Sequence, residues 1–266
     1  MSELKLTQIS IYPIKSLGGI NLAQANVLGK GLQYDRRWML VDEDGKAMTQ
    51  RTFPKMALFK LSIDGEKITI KHQDNHLDLS LADYSLSIPL QVNIWDDTVS
   101  AYEVSALASQ WFSDLLSVRC KLVYFPEENL RPVNPKYKVN NEHVSLADAY
   151  PFLIIGQSTL DDLNERLADP LPINRFRPNF VFTGGKPYEE DAWRNFTIGS
   201  VRFVGVKLCD RCVLTTVNQD TAEKGIEPLR TLATYRKRDN KIYFGQNLVT
   251  LDPHQRVLVG DVISLQ

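Results

Sequence analysis

Residues 57–72, ALFKLSIDGEKITIKH, and residues 77–104, LDLSLADYSLSIPLQVNIWDDTVSAYEV, decide the fold class. The first sets two β-rich runs on either side of Asp64-Gly65, a dipeptide that tolerates the left-handed backbone a tight hairpin needs. The second adds further short apolar runs with little room for a crossover helix, which argues against a doubly wound α/β start. Upstream, LTQISIYPI (6–14) reads as a strand and RRWMLVDEDGKAMTQRT (36–52) as a hairpin around Asp44-Gly45.

Downstream the period changes. SALASQWFSDLL (105–116) sets Leu107, Trp111 and Leu115 on one helical stripe, and CKLVYFP (120–126) returns to strand. EENLRPVNPKYKVNNEHV (127–144) is polar, proline-bearing and aperiodic, which predicts a long loop or lid. PFLIIG (151–156) predicts a short buried strand, and Ser158, three residues before Asp161, predicts the N-cap of a helix over TLDDLNERL. FVFTGG, FTIGSVRFVGVKL, CVLTTV, IYFGQNLVTL and HQRVLVGDVISLQ supply more short apolar runs, with one helix candidate in EPLRTLATYRK. The economical architecture is mainly β with some α, a barrel or a pair of barrels.

The 266 residues suffice for one large domain or two modest ones. Against 32 Asp and Glu stand 31 Lys and Arg, so no global field gathers nucleic acid or an anionic membrane. Three cysteines build no disulfide framework, and MSELKLTQISIYPIK lacks the long apolar segment of an exported or anchored protein. The expectation is a cytoplasmic protein with no stable nucleic-acid partner and no membrane association. No GxGxxG or GxxxxGK[ST] loop is present, and Ser158 has no GxSxG context, so nicotinamide, P-loop and hydrolase readings are weak.

Cys209-Asp210-Arg211-Cys212 is the sharpest local signal. A dithiol redox centre stands where a strand enters a helix, whereas the β-branched CVLTTV predicts extended chain here. A structural zinc site needs four ligands, and Cys120, His72, His76, His143 and His254 form no convincing second pair. Two packed cysteines are the bland reading, and a thiolate bound to a redox-active metal is the sharper one. Arg211 can stabilise a thiolate or an anionic ligand, and Asp210 can orient a polar group.

Lys15-Ser16 before Gly18-Gly19 can make an anion site from an amine, a hydroxyl and flexible amides. Of Arg36 and Arg37, adjacent in an extended run, at most one faces the same pocket. In Arg175-Phe176-Arg177-Pro178-Asn179 the two arginines can share one face, with Asn179 offering a donor and an acceptor. Separated cationic stretches at strand ends fit an anionic cofactor better than a nucleic-acid track. Tyr188-Glu189-Glu190-Asp191 reads by default as a hydrated turn.

In this order IYPIKS, DRRWMLVD, ADAYPFLIIGQSTLDDLN, NRFRPNFVFTGG and CDRCVLTTVNQDT resemble the MOSC-domain family. The likeness is to the branch holding the mitochondrial amidoxime-reducing component and the bacterial hydroxylaminopurine-resistance protein. It implies a MOSC-type β-barrel with a smaller N-terminal β-barrel domain, divided here as 1–110 and 111–266. It also implies a molybdenum–molybdopterin cofactor, with Cys212 as metal ligand and Cys209 not. Lys15, Ser16, Arg36, Arg177 and Asn179 match positions that hold the cofactor, and Asp210 and Arg211 flank the metal ligand. Ala149-Tyr150 replaces a Thr-Ser pair of the mitochondrial members, so any contact there falls to Tyr150 and to backbone. Catalysis centred on Cys212, Asp210 and Arg211 would reduce small N-hydroxylated substrates such as hydroxylamines or amidoximes. The bacterial relative carries an iron–sulfur domain, and three cysteines cannot form one while Cys212 binds molybdenum. An external ferredoxin, flavoprotein or cytochrome is therefore the expected electron donor. The competing class is a noncatalytic cofactor or sulfur carrier.

Overall fold

PFLIIG forms the Phe152–Gly156 strand and is buried at every position, as a strand covered on both faces must be. In the computed structural model, which describes residues 3–81 and 89–266, this strand lies parallel to Phe180–Thr183 and antiparallel to Lys241–Thr250. It is central to a curled sheet of nine described strands. The order is Ile263–Leu265, Asn195–Ile198, Val201–Asp210, Lys241–Thr250, Phe152–Gly156, Phe180–Thr183, Lys5–Ile11 and Ile20–Leu22, with Lys237–Arg238 pairing off Lys241–Thr250. Bulges after Gly205 and Leu208 bend the Val201–Asp210 strand where it approaches the cysteines. On one face Phe203 meets Phe152 and Phe180 edge-on, at 5.4 and 5.5 Å between ring centroids. The other face is covered by the helices Gln157–Asn164 and Leu229–Ala233, which pack Leu160, Leu163 and Leu232 among Leu153, Ile155, Phe176 and Phe244.

The N-terminal β-barrel is built from two smaller sheets and one helix. The first orders Trp38–Val41, Lys121–Tyr124, Asp97–Glu103 and Leu90–Ile94, and the second is the meander Lys60–Asp64, Lys67–His72, Asn75–Ser80. The turn at Asp64-Gly65 forms with Asp64 opposite Lys67 and Gly65 at a φ of 56°. Residues 82–88 of the 77–104 stretch lie outside the described residues. The β-rich runs on either side form the strands Asn75–Ser80, Leu90–Ile94 and Asp97–Glu103. Among the described residues no helix is long and apolar enough to cross a membrane.

Two local expectations about the helices are corrected. The helix Ala106–Leu116 is capped by Ser105, but it turns Ala108, Ser109 and Phe112 inward and leaves Leu107 75% exposed. Serines cause the rotation: Ser109 Oγ accepts from Leu122 N and Ser113 Oγ from Cys120 N, so the hydroxyls face the sheet they hydrogen-bond. Ser158 is not an N-cap, because the helix starts at Gln157 after Gly156. The expected lid, residues 127–144, forms no helix or strand beyond the Pro132–His143 bridge, in agreement with its reading as a loop.

Glu190 takes over at that helix start, so residues 188–191 are no hydrated turn. Its carboxyl is fully buried and accepts from Gly156 N at 3.1 Å and Thr159 Oγ1 at 2.9 Å. Burial outweighs these hydrogen bonds and lifts its pKa from 4.5 to about 7. Across that window the folded chain holds a proton the unfolded chain has released, so the contribution of Glu190 to stability falls as pH rises. In urea titrations between pH 4.5 and 8, Glu190→Gln is expected to lack that part of the decline. A wild-type and a variant profile of the same shape would contradict it.

Candidate functional site

Four loops meet where the N-terminal barrel abuts the large sheet. Lys15 and Ser16 follow the Lys5–Ile11 strand, Arg36 precedes Trp38–Val41, Arg177 and Asn179 lead into Phe180–Thr183, and Asp210, Arg211 and Cys212 end the Val201–Asp210 strand. All of them, with Tyr150, line one cavity of about 180 Å³. Ser16, Arg36 and Arg177 hold left-handed backbone, with φ of 66°, 51° and 56°. Such conformations are uncommon outside glycine, and here they gather at one cleft.

The lining carries five cations, Lys15, Arg36, Arg51, Arg177 and Arg211, against the carboxylates Asp148 and Asp210. Lys15 Nζ, almost wholly buried, donates to Leu146 O at 2.8 Å and to Asp148 Oδ1 at 2.6 Å. Arg51 Nη1 donates to Asp148 Oδ2 at 3.3 Å and reaches the Cys212 sulfur at 3.6 Å. Burial alone would raise the Asp148 carboxyl, but Lys15 and then Arg51 hold it far below the usual carboxylate range. Burial likewise raises Asp210, and its partners Lys241 at 3.0 Å and Lys207 at 3.2 Å more than reverse that. Desolvation pushes the Tyr150 hydroxyl well above its ordinary range, so it keeps its proton.

The Tyr12 ring carries two guanidinium groups, Arg36 at 4.4 Å and Arg177 at 4.1 Å from its centroid. Arg36 also donates to Asp35 at 2.7 Å. Arg177 Nη1 donates to Leu17 O at 2.6 Å, whereas its buried Nη2 has no partner among the described residues. Burial, helped by Arg36, lowers the Arg177 pKa to about 10. Arg211 Nη2 donates to Phe176 O at 2.6 Å, and its buried Nε is also unpartnered. Asn179 donates to Ser10 O at 3.1 Å and accepts from Leu153 N at 3.2 Å, so its amide ties the 177–179 segment to two strands.

The structure revises several roles. Arg211 turns to the Cys209 sulfur at 2.8 Å, because residues two apart on extended chain share a side, and Arg51 is the arginine at Cys212. Cys212 leads not into extended chain but into the 3₁₀ turn Val213–Thr216. There Thr215 Oγ1 donates to Cys212 O and Thr216 Oγ1 to Val213 O, local bonds that outweigh β-branching. Arg175 lies in a 3₁₀ turn, away from the cleft face of Arg177, and braces Thr215 O at 3.0 Å. Of Arg36 and Arg37 only the first lines the cleft, and Arg37 is buried against Glu127. Gly18 and Gly19 are not among the lining residues. Gly18 lies against Phe59 O, where a Cβ would come within 2.7 Å. Among the described residues no group of three or more His, Cys, Asp or Glu gathers as a metal-binding set.

Buried guanidinium N–H groups without partners, amid excess positive charge, fit an oxygen-rich anionic group. The Cys212 thiol beside them fits a sulfur-preferring metal. The comparisons agree in kind. The model of the MOSC N-terminal beta barrel domain matches residues 3–119, and that of the MOSC domain matches residues 141–264.

The chain belongs to the MOSC family.

Mitochondrial amidoxime-reducing component 1 of Mus musculus is 33% identical over 279 residues, covering 98% of this chain and 82% of the relative. The Homo sapiens protein of the same name is 32% identical with the same coverage. Molybdenum cofactor sulfurase of Oryza sativa subsp. japonica is 30% identical over 92% of this chain, which spans only 32% of that relative. In this MOSC protein the cleft lies between the parts matched by the two models, with Lys15, Ser16, Arg36 and Arg51 from the first and the other lining residues from the second.

Proposed function

We propose that this MOSC protein is a molybdenum-cofactor-dependent reductase of N-hydroxylated compounds such as hydroxylamines and amidoximes. The observation that carries the reading is the meeting of Cys212 with five cations in one cleft, two of them keeping a buried, unpartnered N–H. An anionic molybdopterin satisfies those donors, and Cys212 adds a sulfur ligand for molybdenum. The names of the amidoxime-reducing relatives support the substrate class, and that of the sulfurase supports the cofactor.

Bound in the cleft, the molybdenum cofactor supplies two-electron reduction of an N–O bond. Lys15, Ser16, Arg36 and Arg177 would hold its anionic groups, and Asn179 ties the 177–179 segment to the sheet. Asp148 fixes Lys15 and Arg51 in one arrangement, and Arg51 holds an N–H donor beside the Cys212 sulfur. Asp210, kept ionised by its two lysines, accepts from substrate N–H groups, and protonated Tyr150 offers a hydroxyl. Electrons come from a separate ferredoxin, flavoprotein or cytochrome.

The test is to load the protein with cofactor, supply reduced viologen and then protein donors, and follow amidine formed from an amidoxime alongside molybdenum content. Product formation that depends on both cofactor and donor is expected. Full molybdenum loading without product from several N-hydroxylated substrates across these donors would overturn the reading in favour of a cofactor or sulfur carrier.

A further inference from the structure

The hairpin between Leu90–Ile94 and Asp97–Glu103 turns through two residues, Trp95 and Asp96, with Asp97 paired to Ile94. Trp95 holds a φ of 55° and is 62% exposed. A bulky aromatic at the tip of such a turn is doubly unfavourable, since the backbone suits glycine or asparagine and the ring lies in water.

Trp95 is not itself among the residues that line the cleft, but the tip is tied from two directions to residues that are. Arg131, buried, donates to Asp97 at 2.7 Å and to the carbonyls of Ser145, Ala147 and Asp148 at 3.0, 2.6 and 3.1 Å. This ties the base of the turn to the segment that carries Asp148. On the other side the Arg51 guanidinium stacks on the Trp95 ring at 4.4 Å and reaches the Cys212 sulfur at 3.6 Å. Trp95 is thus one side chain removed from Cys212, with much of its surface in solvent.

We propose that Trp95 is a specificity-determining residue at the cleft mouth, an aromatic platform that selects planar aromatic or heteroaromatic N-hydroxylated substrates over aliphatic ones. This rests on the function proposed above. A planar substrate stacks on the open part of the indole while its N–O group enters beside Cys212. The strained turn, the Arg131 clamp and the Arg51 contact keep the platform in place before substrate arrives, which limits the ordering that binding requires. An aliphatic substrate with the same reacting group gains no such contact.

Benzamidoxime and acetamidoxime carry the same N–OH group and differ in phenyl against methyl. With cofactor-loaded enzyme at matched molybdenum content, Trp95→Ala is expected to lower the benzamidoxime-to-acetamidoxime ratio of kcat/KM by about fivefold, the usual size of an aromatic pair contact. The loss should fall on KM for benzamidoxime, and Trp95→Phe should restore most of the ratio. An equal loss for both substrates would assign Trp95 to positioning Arg51, and a change confined to the KM of the electron donor would assign it to donor docking. Either result, or an unaltered ratio, overturns the proposal.

Binding separates this failure from failure of the reductase reading. Titration of oxidised, loaded protein with benzamidoxime should quench tryptophan fluorescence in wild type and much less in Trp95→Phe, since Trp38 and Trp193 are buried and the half-buried Trp111 is packed on Phe59 and Phe112 in the N-terminal barrel. A Trp95-dependent quench in protein that turns over neither substrate would leave the platform standing and sink the reductase. Quenching of equal size in both proteins would sink the platform.

Discussion

Cys212→Ala protein is expected to retain about a tenth or less of the wild-type molybdenum after loading and desalting, whereas Cys209→Ala keeps most of it. The two sulfurs are three residues apart yet stand in different surroundings. Both line the cleft, but Cys212 opens the turn that Thr215 and Thr216 close and has the Arg51 guanidinium beside its sulfur. Cys209 is packed against the cluster that includes Phe176 and Phe244, and its sulfur accepts from Arg211 at 2.8 Å. Removing the Cys209 sulfur trims a packing contact and frees one guanidinium N–H, with a stability loss of about 1–2 kcal/mol. Removing the Cys212 sulfur takes away the thiolate the metal would bind, and turnover should fall in proportion to the metal lost. Metal analysis on protein whose circular dichroism matches wild type gives the answer, and equal molybdenum in the two variants would refute the assignment.

How far this was legible in the sequence depends on whether the signal is local. The Asp64-Gly65 hairpin and the PFLIIG strand are written in neighbouring residues and form as read. Lys15, Arg36, Arg177 and Cys212 stand out because each lies in a short motif, and the fold brings all four to one cleft. Arg51 and Asp148 are not legible in the sequence because neither has an unusual neighbour. What joins them is an ion pair across 97 positions, which no periodicity reports. Arg211 shows the opposite case: in the sequence it adjoins Cys212, whereas the two-residue repeat of extended chain points it to Cys209. Glu190 reads as a solvated acid until the Gln157–Asn164 helix is seen to lack a capping side chain of its own.

Arg177→Met is expected to separate stability from cofactor binding. In cofactor-free protein Arg177 is a liability: it is buried, Nη2 has no partner, Arg36 shares the same tyrosine ring, and burial has lowered its pKa to about 10. A methionine of similar length removes the desolvated charge and its repulsion, at the loss of the bond to Leu17 O and the contact with Tyr12. Burying a charge with no counter-charge is costly, so the urea midpoint of the cofactor-free variant should equal or exceed that of wild type. The left-handed backbone at this position adds nothing to the difference, since both side chains carry a Cβ. With an anionic cofactor present the same charge becomes favourable, because the free N–H gains an acceptor and the repulsion gains a counter-charge. Hydrogen bonds to charged groups contribute about 1.5–3 kcal/mol, which sets the expected loss of cofactor affinity in Arg177→Met at roughly 10- to 100-fold. Opposite changes in the two measurements would mark Arg177 as a binding residue whose charge the empty fold tolerates at a loss. A variant that is strongly destabilised without cofactor, yet retains full molybdenum, would make Arg177 a structural residue and remove it from the cleft's binding set.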